Sequence, residues 1–141
     1  MKILIINGPN LNLLGKREPH IYGTETMQDI LDNLRCEFKE IDIECFQSNH
    51  EGALIDCLHE AGYGKNKIDG IIINAGGYTH TSIALADAIS AIPVDVIEVH
   101  ISNIAARESY RHKSLLSTVC KGSICGLGSK VYKLALLALI E

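Results

Sequence analysis

Apolar residues recur along this chain in two alternating rhythms. Residues 2–6 form an apolar run of strand length, and a Gly-, Pro- and Asn-rich stretch follows over residues 7–23. Met27, Ile30, Leu31, Leu34 and Phe38 then return at helical spacing, with Thr26 and Asp29 placed as a capping pair. Residues 41–45 alternate as a second strand. Ser48 and Glu51 carry a capping-box pattern ahead of a second helix through Leu54, Leu58 and Ala61. Residues 70–74 are apolar on both sides, as a parallel strand covered by helices must be. An Ala- and Ile-rich helix over residues 82–91 stops near Pro93. Residues 94–99 read as a fourth strand, residues 118–125 as a weaker fifth, and residues 130–140 as a closing helix.

Five strand–helix units in 141 residues predict one α/β domain over residues 1–141, built on a doubly wound parallel sheet. The strand count favours a flavodoxin-like order over a six-strand dinucleotide fold. Ligands of such sheets bind beyond the carboxyl ends of the strands, near the point where strand order reverses. The segments after the first, third and fourth strands are therefore where chemistry is expected.

Composition narrows the class. A formal net charge of −4 and the absence of a Lys/Arg run argue against a nucleic-acid partner. The N-terminal apolar stretch is too short for a signal peptide, and residues 134–140 fall far short of a bilayer span of about 20 residues. No membrane association and a cytoplasmic location are the expectations. The five cysteines, with no C-x-x-C pair, suggest small apolar residues in a reducing compartment rather than a disulfide framework or zinc knuckle.

The three expected segments hold the least ordinary residues. The first is long for a strand-to-helix connection, a length typical of lids and binding loops, and it places Arg17 five positions from Tyr22. A phenol is a poor base at neutral pH, and a neighbouring guanidinium favours its phenolate. On these residues alone, a packed Tyr22 beside a solvated Arg17 stays open as the plainer reading. In the second segment Asn74 closes a strand, Gly76 and Gly77 let backbone approach a ligand, and His80 precedes a helix start whose N–H groups suit an anion. A tight turn capped by Ser82, with His80 on the surface, fits equally well. In the third, Glu98 and His100 lie two apart at a strand end and share a face. A carboxylate beside an imidazole favours the protonated ring, which suits a general acid. Ile101, Ser102 and Asn103 then offer N–H groups and a hydroxyl to a carboxylate or phosphate. A base, an acid and anion-binding groups on one rim fit an acid–base lyase or isomerase acting on a small anion.

At these residues the sequence resembles the type II 3-dehydroquinate dehydratases. The matching stretches are NGPNLNLLGKREPHIYG at 7–23, NAGGYTHTS at 74–82 and EVHISNIAARESYR at 98–111. The resemblance implies a flavodoxin-like subunit, without metal or cofactor, that converts 3-dehydroquinate to 3-dehydroshikimate through an enolate. It implies Tyr22 as the base, His100 as the acid, Arg17 as the stabiliser of the phenolate and Glu98 as the orienter of His100. Asn10 would hold a water on the enolate oxygen. Asn74 and the backbone of Ile101 and Ser102 would grip the carboxylate, and His80, Asp87 and Arg111 would attend the ring hydroxyls. It further implies trimers assembled into a homododecamer and a mobile lid over residues 16–23. Arg107 is assigned to supporting that loop or an interface and is left outside the site.

Two rivals share the fold class. A metal-dependent lyase or hydrolase would use His80, Asp87, Glu98 and His100, although no HxH or HExxH spacing is present. A flavin- or phosphate-binding module would want a Ser/Thr-rich first loop, where this chain has Asn-Gly-Pro-Asn, or an Asp at the position of Asn74.

Overall fold

The computed structural model describes all 141 residues. Its strands are β1 (Lys2–Asn7), β2 (Asp42–Gln47), β3 (Gly70–Asn74), β4 (Val96–His100) and β5 (Gly122–Cys125). All neighbours pair in parallel in the order β2-β1-β3-β4-β5. This is the flavodoxin-like arrangement, with its switch point between β1 and β3. The helices are α1 (Pro19–Tyr22, a single turn), α2 (Met27–Glu37), α3 (Glu51–Tyr63), α4 (Ile83–Ala91) and α5 (Lys130–Ile140).

Strand alternation divides the core into two layers. Ile3, Ile5, Ile72, Ile97 and Val99 face α2 and α5, whereas Leu4, Ile6, Ile71, Ile73 and Val96 face α3 and α4. Burying an Ile side chain of this kind contributes about 1.5–3 kcal/mol, so the central strands form a stiff floor under the rim loops. The same alternation sends Asn7 and Asn74 toward the α2/α5 layer, and Glu98 and His100 toward the other.

The closing helix spans the expected residues, and Thr26 with Asp29 makes a true capping box on α2. Elsewhere the expectations shift. The Ser48/Glu51 box does not form. His50 is the N-cap of α3 and makes no side-chain cap, while the Ser48 hydroxyl accepts from the His50 N–H two residues on. That local turn competes with the cap for the same hydroxyl. The fourth and fifth strands begin later than expected, at Val96 and Gly122, because the chain bends over residues 92–94 and turns over residues 117–119 before them. No helix is long and apolar enough to cross a membrane.

Candidate active site

Beyond the carboxyl ends of β1, β3 and β4 lies an open cleft of about 120 Å³, lined mainly by polar residues. Nine of the eleven residues expected at the site line it: Asn10, Arg17 and Tyr22 from the first loop, Asn74 and His80 from the second, and His100, Ile101, Ser102 and Arg111 from the third. Glu98 is not in the lining but stands directly behind His100. Asp87 is farther removed. It lies exposed on α4 and outside the lining.

The first loop turns back through two strained positions, Asn10 at φ 70° and Glu18 at φ 40°. Left-handed backbone in non-glycine residues persists only where the surroundings over-determine it, and it clusters at functional sites. Leu11 and Leu14 anchor the loop in the core, and Tyr22 packs against the α2/α5 layer. Two guanidinium groups address that phenol. Arg17 lies over the ring, 4.9 Å from its centroid, and pairs with Glu18 at 3.4 Å. Arg107 does more: its Nη1 donates to the Tyr22 hydroxyl oxygen at 2.8 Å and to Ser102 Oγ at 3.3 Å. Arg107 thus does support the loop, as expected, but it does so through the proposed base and lines the cleft itself. It therefore stands within the cleft, not outside it. Only the motif spacing around Arg111 hinted at it, since its partner Tyr22 is 85 positions away.

On the opposite strand end, His100 Nε2 and Glu98 Oε1 are 2.8 Å apart, with both residues buried. Burial pushes the Glu98 carboxyl pKa up, but hydrogen bonds from His100 and Ser114, the His100 charge and a further bond from Ser123 outweigh it and hold it below its ordinary value. Ser114 Oγ lies 2.8 and 2.6 Å from the two carboxylate oxygens. An ionised Glu98 accepts only, so His100 Nε2 carries a proton. His100 Nδ1 has no partner in the protein, and no buried side-chain N or O lacks one, so Nδ1 opens onto the cleft. Any proton His100 delivers leaves from Nδ1. His80 stacks beside it with ring centroids 6.3 Å apart. Its Nδ1 donates to the Lys113 carbonyl at 2.8 Å, which leaves Nε2 for a ligand.

Between these groups two backbone N–H groups stand without a partner in the chain. The His100 carbonyl accepts from Gly126 N at 3.0 Å and the Ile101 carbonyl from Gly128 N at 3.1 Å. Across a trans peptide the N–H points opposite to the preceding carbonyl. The Ile101 and Ser102 N–H groups are therefore turned away from the β5–α5 loop, and neither has an acceptor within the chain. Gly126 holds φ +85°, and a Cβ there would meet Asn103 Cβ at 2.9 Å. Arg111, paired with Glu108 at 2.9 Å, adds positive charge at the mouth. No group of three or more His, Cys, Asp or Glu side chains is arranged to hold a metal ion, and the four donors of the metal-dependent alternative do not converge.

A cation-flanked phenol, a carboxylate-backed imidazole and two unpaired backbone N–H groups on one rim of a flavodoxin-like sheet are the parts an acid–base lyase requires. The class II dehydroquinase profile matches residues 1–140, and the chain belongs to that family. It is 55% identical over 139 residues to the 3-dehydroquinate dehydratase of Rhizobium johnstonii, covering 97% of this chain and 94% of that one. It is 53% identical over 142 residues to that of Caldicellulosiruptor bescii, covering 99% and 97%. The crystal structure of the type II dehydroquinase from Butyrivibrio crossotus superposes with a TM-score of 0.94 at 50% identity, covering 100% of this chain and 98% of that one.

Proposed function

We propose that this chain dehydrates 3-dehydroquinate to 3-dehydroshikimate, a step of the shikimate or quinate pathway, with the residues of the cleft acting as follows. Tyr22, as phenolate, removes a proton from C2, and the electron pair moves into an enolate. Arg107 stabilises the phenolate by direct donation, and Arg17 adds charge over the ring. Asn10 holds a water on the enolate oxygen, an oxyanion-hole role. The enolate then expels the C1 hydroxyl, which takes a proton from His100 Nδ1 and leaves as water. Glu98 keeps the imidazole oriented by accepting from its Nε2–H. Tyr22 ends protonated and His100 neutral, and proton exchange with solvent resets both. The Ile101 and Ser102 N–H groups and Asn74 hold the carboxylate, while His80 and Arg111 attend the ring hydroxyls. The observation that carries this reading is the pairing of Arg107 with the Tyr22 hydroxyl in the same cleft as the Glu98–His100 dyad.

Exposed on α4, Asp87 cannot line the cleft of its own protomer, so in this proposal it acts at a subunit interface of a homododecamer. Five free cysteines fit a reducing, cytoplasmic location. Dehydration creates a conjugated enone, so ultraviolet absorbance reports product directly. Purified protein mixed with 3-dehydroquinate in chelator-containing buffer should show a steady rise that Tyr22→Phe abolishes without unfolding the chain. Near-normal turnover in that variant removes Tyr22 as the base.

A further inference from the structure

Tyr132 is fully buried on α5 and takes no part in the steps above. Its hydroxyl sits between Asn7 and Asn74, which are register partners at the carboxyl ends of β1 and β3. It donates to Asn7 Oδ1 at 2.8 Å and accepts from Asn74 Nδ2 at 3.1 Å.

The order of donation along this chain of groups is forced. A phenol carries one proton, and burial pushes the Tyr132 pKa upward despite the Asn74 hydrogen bond, so the group stays neutral. The Gly76 N–H donates to Asn74 Oδ1 at 3.2 Å, so the Asn74 amino group faces the phenol and donates to its oxygen. The single phenol proton is then left for Asn7 Oδ1, and Asn7 Nδ2 faces Cys45 Sγ at 3.7 Å. An amide nitrogen carries two hydrogens. The phenol takes one, and the second has no acceptor in the protein although Asn74 lines the cleft.

We propose that Tyr132 is a positioning residue that fixes the Asn74 amide so that the cleft offers the substrate carboxylate a donor rather than an acceptor. The inference rests on the assignment of Asn74 to the carboxylate. Without the phenol oxygen, the Asn74 amide is held by the Gly76 N–H alone and loses the acceptor on its amino side. Without the Asn7 acceptor, the phenol proton loses its partner and competes with the Gly76 N–H for Asn74 Oδ1, which opposes the donor orientation.

The test uses Tyr132→Phe, Asn7→Ala and Asn74→Ala in the full chain. Tyr132→Phe should raise KM for 3-dehydroquinate about tenfold, the loss of roughly one hydrogen bond to a charged group, with kcat changed far less. Affinity for quinate should fall in parallel while affinity for its neutral carboxamide holds, a split that simple loss of stability does not produce. Asn7→Ala, which leaves the aromatic ring in place, should show the same split and carries the test alone if Tyr132→Phe does not fold. Added to Asn74→Ala, neither change should raise KM further. An Asn74→Ala variant with unchanged KM overturns the carboxylate assignment and this inference with it. If Asn74→Ala raises KM but Tyr132→Phe and Asn7→Ala do not, Tyr132 is structural only and the inference alone fails.

Discussion

At the residue scale, the two arginines near Tyr22 are not equivalent. Arg107 touches the phenol oxygen, whereas Arg17 lies over the ring and shares its charge with Glu18. A hydrogen bond from a charged donor contributes about 1.5–3 kcal/mol. Arg107→Ala should therefore lower kcat about 10- to 100-fold, the loss of one charged donor to the phenol. Arg17→Ala should cost less, and steady-state rates of the two variants will rank them. Glu98 makes a second prediction. Its folded-state pKa is below the ordinary 4.5, so its contribution to stability is complete above that value and lost as pH falls through the lowered one. Glu98→Gln should flatten acid denaturation in that window, measured by circular dichroism, while reducing activity at neutral pH. The Glu98–His100 pair was legible in the sequence because strand alternation puts residues two apart on one face. The Arg107–Tyr22 bond was not, because it joins segments 85 positions apart whose approach is set by tertiary packing.

Element-scale features were legible wherever periodicity was strong. Parallel strands buried on both faces announce themselves as apolar runs, and the switch point follows from their order. The Ser48/Glu51 expectation failed because a hydroxyl that can cap a helix can also close a two-residue turn, and only the backbone path decides between them. The β5–α5 loop had no sequence signal at all, since its part is played by backbone groups. Gly126 and Gly128 turn two carbonyls toward themselves and thereby two N–H groups away, toward the substrate carboxylate of the proposed mechanism. Gly126→Ala places a methyl 2.9 Å from Asn103 Cβ on a backbone with φ +85°, so the loop must shift. KM should rise several-fold with Tyr22 and His100 untouched. Wild-type kinetics in a folded Gly126→Ala variant would separate this loop from carboxylate binding.

At the scale of the whole molecule, one protomer holds almost all of the proposed machinery but leaves two features unaccounted for. Asp87 sits exposed on α4, and Ile83 on the same helix is 68% exposed despite its size. The outer edge of β2 pairs with nothing in the chain, an arrangement that monomers usually blunt. Both fit a surface that a second copy covers, which is the assembly the family resemblance implies. Light scattering on purified protein should give a mass near twelve times the 15.4 kDa chain. Ile83→Asp introduces a charge where that contact is proposed and should yield smaller, folded species. If Asp87 serves a neighbouring cleft, these species lose activity, and Asp87→Ala loses it in the intact assembly. A monomer with full turnover would show that each cleft works alone and would strike Asp87 from the site.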